Sequence, residues 1–102
     1  MNKKILSYID THYLDPITLD SVANSVGISR FYLSRNFRKL TNCGFCEYLN
    51  QKRINEAIIL LAETDYSITD VALRSGFQSI SSFNRIFKDC IGCSPKEYRN
   101  IV

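Results

Sequence analysis

The chain has 102 residues, 45% of them apolar and 23% charged, with a formal net charge of +3 at pH 7. That length holds one small domain or two very small units, and the balance is that of a folded chain, which excludes disordered and fibrous classes. No apolar run approaches a membrane span, and Met1-Asn2-Lys3-Lys4 leads into an amphipathic stretch instead of a signal peptide; the expected setting is a reducing cytoplasm, where four cysteines are thiols or metal ligands.

Apolar spacing is helical nearly throughout. Ile5, Ile9 and Tyr13 recur at i, i+4 and i+8 and predict a first helix over 3–14, ended by Asp15-Pro16. A short helix over 19–26 stops at Gly27. Leu33, Phe37 and Leu40 carry the stripe of a helix over 30–41, which closes at Asn42 to Gly44. The run "AIILLA" at 57–62 would suit a buried strand in isolation. Its periodicity continues back to Leu49 without a turn signal, so Ile54, Ala57, Ile58 and Leu61 are read as one face of a long helix over 45–63. Beyond Thr64 to Tyr66, further helices are expected over 68–75, 80–91 and 95–101, broken by Gly76 and by Gly92 to Pro95. The last start is well marked: Ser94 as N-cap, Pro95 at N1 and Glu97 at N3 form a capping box.

The chain also repeats itself. "LDSVANSVGI" (19–28) matches "ITDVALRSGF" (68–77) at an offset of 49, with Val22, Ala23 and Gly27 falling on Val71, Ala72 and Gly76. After one inserted residue, "SRFYLSRNFRK" (29–39) matches "SISSFNRIFKD" (79–89) at an offset of 50. Each copy is a short helix with a central Ala, a Gly-containing turn and a longer helix opened by Ser. The small Ala lets two helices approach and Gly tolerates the turn, which is the pattern of a helix-turn-helix. The charges agree. No acid lies between Asp20 and Glu47 or between Asp70 and Asp89, while Arg30, Arg35, Arg38 and Lys39, then Arg74, Arg85 and Lys88, do. Two basic, acid-free segments suit phosphate binding.

The stretches "RINEAIILLAET" (53–64), "ITDVALRSGFQSISSFNRIFK" (68–88) and "GCSPKEYR" (92–99) carry a resemblance to the DNA-binding domain of the AraC/XylS family of bacterial transcription regulators, covering residues 5 to 100. "GFCEYLNQKRINEAIILL" is similar in style to response regulators that end in this domain. The resemblance implies an all-α fold of about seven helices: a first helix-turn-helix unit with its N-terminal helix (1–52), a linker helix (45–63) and a second unit with its C-terminal helix (64–102). It implies sequence-specific binding of double-stranded DNA, one recognition helix per major groove, no cofactor, no small-molecule ligand in this domain, and a sensing or receiver domain in a longer parent chain.

In the first recognition helix Leu33 and Phe37 face the core, with Tyr32 flanking them. Arg30, Phe31, Ser34 and Arg35 are the expected base contacts, Arg35 foremost because a guanidinium bonds guanine in two places; Phe31 suits a thymine methyl. Ser29, Arg38 and Lys39 are assigned to phosphates. The second helix offers Ile80, Ser81, Asn84 and Arg85 to bases and Ser79 and Lys88 to phosphates. It departs from the family, which usually has an aromatic residue where Ser82 stands and often a polar one where Ile80 stands. It is therefore expected to add backbone affinity more than discrimination. An alternative use of this unit is as a protein-interaction surface for RNA polymerase or a partner domain. Arg53 is expected to pair near the core, and His12, Glu56, Glu63, Lys96 and Arg99 to be solvated.

"NCGFC" (42–46) and "CIGC" (90–93) raise a second alternative, a thiol-redox or zinc domain. The repeat argues against it. Cys43 falls on Cys93 at N′ of a following helix, where a thiol packs on the N4 tyrosine, Tyr48 or Tyr98. Cys90 falls on Leu40, expected in the core, and Cys46 on Lys96, expected at the surface. The two pairs thus arise by different routes. The 43 residues between them exceed the usual zinc-ribbon spacing, and the strands a thioredoxin-like motif needs are absent from the reading. Cys46, near a helix N-terminus, would be the most reactive thiol. Without a nucleophile–base pair or a phosphate loop, the chain does not read as an enzyme.

Overall fold

The computed structural model describes residues 2–102 as seven helices joined by short turns: α1 (Asn2–His12), α2 (Leu19–Val26), α3 (Arg30–Thr41), α4 (Phe45–Glu63), α5 (Ile68–Arg74), α6 (Ile80–Ile91) and α7 (Pro95–Ile101). No strand occurs among the described residues. The expected all-α class with two helix-turn-helix units is what forms. The chain divides into two compact units, with the boundary inside α4 between Leu49 and Asn50.

Caps explain where the helices begin and end. The hydroxyls of Thr18, Ser29, Ser67, Ser79 and Ser94 each accept the N3 amide of the helix that follows. The Ser94–Glu97 capping box is formed as read, and Thr18 and Ser21 make a second one. The recognition helices α3 and α6 close on equivalent left-handed residues, Asn42 at φ 63° and Gly92 at φ 96°. Two boundaries differ from expectation. α1 stops at His12, where the Asp15 amide donates to the His12 carbonyl and Pro16 disfavours a helical Asp15. Tyr13 still packs on the first core from this turn. α5 stops at Arg74, because the buried Ser75 hydroxyl turns back onto the Val71 carbonyl at 2.6 Å as the chain swings through Gly76 at positive φ.

In the first unit Ile5 and Ile9 of α1, Val22 and Ala23 of α2, Leu33 and Phe37 of α3 and Leu49 of α4 form the core. In the second, Ile54, Ala57 and Leu61 of α4 meet Val71 and Ala72 of α5, Phe77, and Phe83 and Phe87 of α6. Ala23 and Ala72 sit at the buried points where the short helices approach, the role their small size suits. The repeat extends to aromatic geometry. Tyr48 meets Phe37 edge to face at 5.4 Å, and Tyr98 meets Phe87 the same way at 5.7 Å.

Two expectations are corrected here. Cys90 is exposed, not in the core. The α6 stripe runs Phe83, Phe87, Ile91 in steps of four, which rotates position 90 off the buried face, and Ile91 packs instead. Arg99 is not a solvated residue of the last helix. Its guanidinium donates to the carbonyls of Leu61 (3.2 Å), Thr64 (3.3 Å) and Tyr66 (2.6 Å), tying α7 to the open C-terminal end of α4. Arg99→Ala should therefore cost about 1–3 kcal/mol in thermal unfolding, since three carbonyls lose a charged donor. Arg99→Lys should recover little, because an ammonium cannot span them.

Candidate nucleic-acid interface

On α3 the side chains at 31, 34, 35 and 38 share one face by helical spacing, turned away from the buried Leu33 and Phe37, and Arg30 stands at the helix's first position. All five are exposed, and Phe31 is 78% exposed. Lys39 is exposed beside them. Ser29 caps the helix by accepting the Tyr32 amide at 3.1 Å, which leaves its proton free to donate outward. Tyr32 does not flank the core; it is 48% exposed and stands three residues before Arg35 on the outer side. The period of α3 places it about 100° from Leu33, a rotation the sequence carried. It is an aromatic neighbour of the candidate surface that sequence reasoning assigned elsewhere.

On α6 the equivalent face holds Ser81, Asn84, Arg85 and Lys88, all exposed, with Ser79 capping by accepting the Ser82 amide at 3.2 Å. Ile80 is half-buried and packs against the second core, so this face carries fewer free polar groups than that of α3. Arg74, counted with the basic segment, lies over the Tyr66 ring at 4.2 Å.

The cations are not equally free. The Arg30 Nε stands 3.8 Å from Asp20 Oδ1. The Arg38 Nη2 and Glu47 Oε1 atoms lie 3.6 and 3.5 Å from the point where a Cβ would stand on Gly44. Among the described residues no ion pair reaches Arg35. Elsewhere Arg53 is buried and partnered, as expected, and His12 Nδ1 lies 3.1 Å from Asp15 Oδ2 at the end of α1. Cys43 and Cys93 are half-buried and Cys46 is exposed; Thr41 Oγ1 lies 3.5 Å from the Cys43 Sγ. Among the described residues no group of three or more His, Cys, Asp or Glu gathers closely enough to hold a metal ion, and no helix is long and apolar enough to cross a membrane.

Residues 22–101 match the family model described as a helix-turn-helix domain. The chain belongs to the AraC/XylS family. Solved structures have a similar fold. The C-terminal domain of AraT, a response regulator from Geobacillus stearothermophilus, superposes with a TM-score of 0.95 at 31% identity, over 99% of this chain and 84% of that one. The DNA-binding domain of the global transcriptional factor AdpA, solved with a target DNA, gives 0.92 at 29% identity, over 98% and 90%. Among curated relatives, an uncharacterized HTH-type transcriptional regulator of Staphylococcus aureus (strain COL) is 38% identical over 96 residues. That match takes in 94% of this AraC/XylS chain, which spans only 13% of the relative's length.

Proposed function

We infer that this AraC/XylS domain binds double-stranded DNA sequence-specifically and thereby regulates transcription, with α3 and α6 in successive major grooves. One observation carries the reading: twice, in register, a buried two-residue stripe turns a basic helix face to solvent, acid-free on α3 and with Asp89 alone near its end on α6. Base contacts are assigned to Arg30, Phe31, Ser34 and Arg35 of α3 and to Ile80, Ser81, Asn84 and Arg85 of α6. Phosphate contacts are assigned to Ser29, Arg38, Lys39, Ser79 and Lys88. The half-buried Ile80 supports a division of labour in which α3 discriminates and α6 mainly adds affinity. The likeness to a response-regulator output domain supports a cytoplasmic parent chain in which a receiver or sensing domain supplies the signal.

Selection of bound duplexes from a random pool, repeated at several salt concentrations, tests this. Enrichment of a two-part site with about one helical turn between halves is expected. Recovery of no common sequence defeats the reading. A second use of the second unit, contact with RNA polymerase or a partner domain, is favoured by the exposed Leu73 of α5, 55% accessible where the first unit has the polar Asn24. An Arg85 variant that loses partner binding while keeping DNA binding would establish it.

A further inference from the structure

Carboxylates stand near cations at both ends of α3. At the start of α3 the Asp20 carboxylate stands 3.8 Å from Arg30. At its end Arg38 and Glu47 converge on the Gly44 α-carbon, both within 3.6 Å of its missing Cβ. The second unit has the corresponding residues at an offset of 50, where Lys88 takes the place of Arg38, Ser94 of Gly44 and Glu97 of Glu47. The Glu97 carboxyl is held below its ordinary value of 4.5, first by hydrogen bonds from the Ser94 backbone and hydroxyl and then by the charge of Lys88. In both units the acid is the N3 residue of the next helix, so its carboxylate is anchored at that helix's N-terminus.

We propose that Asp20, Glu47 and Glu97 limit sequence-indifferent DNA binding by competing with phosphates for Arg30, Arg38 and Lys88, so that the phosphate contacts assigned to Arg38 and Lys88 form only where a fitting site brings a phosphate to them. The proposal rests on the DNA-binding reading above. Non-specific affinity comes from cations that reach any nearby phosphate, and long side chains at helix ends reach farthest. A carboxylate within the roughly 8 Å Debye length at physiological salt competes with phosphate for each of them. Arg35, in the middle of α3, has no such competitor among the described residues, so base contact there is left unopposed. Contested ends and a free centre shift the balance from backbone attraction towards base reading.

Glu47→Gln and Glu97→Gln remove charge while keeping an N3 side chain able to accept a cap hydrogen bond. Binding of each to a mixed-sequence duplex, titrated across salt, should tighten by about 3- to 10-fold at low salt, with the logarithmic salt slope steeper by about 0.9 for each cation released. The decisive arm is Glu47→Gln in an Arg38→Ala background, where the gain should disappear. An equal gain in both backgrounds would mean a general field effect and would overturn the proposal, as would no gain in either. Thermal unfolding of each variant shows that the fold persists. If the unaltered chain binds no duplex at all, the DNA-binding reading itself fails; if it binds and the variants behave like it, only this proposal does.

Discussion

Arg35→Ala is expected to weaken binding at the cognate duplex by about 1–3 kcal/mol and to relax preference at a single base pair. The size follows from position and freedom. Arg35 lies in the middle of the exposed α3 face, with the neighbours Ser34 and Phe31 one residue and one turn away. Among the described residues no carboxylate pairs with it, so its guanidinium enters a groove without first breaking an ion pair. A two-pronged bond to one guanine then depends on it alone. Arg35→Lys should restore part of the affinity and little of the preference, because an ammonium is a point charge without the fork. Comparing cognate with scrambled duplexes separates the possibilities. A uniform loss on both would make Arg35 a phosphate contact and move the base-reading role to Phe31 or Ser34.

The parts of the fold that depend on period and on capping were legible in the sequence. Leu33 and Phe37, the Ser94–Glu97 box and the αL closures at Asn42 and Gly92 all follow from local chemistry repeated twice. What was not legible depends on rotation within a turn or on carbonyls exposed by another helix's end. Tyr32 and Cys90 are each one step from a core position, and a reading by similarity to Leu40 or by mere adjacency to Leu33 misses the 100° that separates neighbours. Leu40 is itself only half-buried, which weakened the analogy from the start. The Arg99 latch joins residues 33 to 38 positions apart, and nothing near Arg99 in sequence announces the carbonyls it will find. The nearness of Glu47 to Arg38 was half visible: Glu47 was counted as the end of an acid-free run, but both side chains reach the same side of Gly44 only through the turn there.

Phe83→Ala should cost about 3–5 kcal/mol of stability, the range for removing a buried ring whose site cannot collapse. The ring is fully buried, with Phe77 at 5.1 Å and Phe87 at 5.6 Å between centroids, and these three aromatics fix α6 against Val71 and Ala72 of α5. Small domains hold only about 5–15 kcal/mol in total, so this one change removes a large part of what keeps the second unit folded. Phe83→Leu should be much milder. The equivalent position of the first unit is Leu33, also fully buried, which shows that the helix-turn-helix frame accepts a leucine there once its surroundings suit it. Denaturant unfolding gives the free energies, and hydrogen exchange at α5, α6 and α7 shows where protection is lost. A cost below about 1 kcal/mol for the alanine variant would place the weight of this core on Phe87 and Ile54 instead. It would also mean that α6 is held to the unit by its end contacts, Phe87 on Tyr98 and the Ser79 cap, more than by its centre.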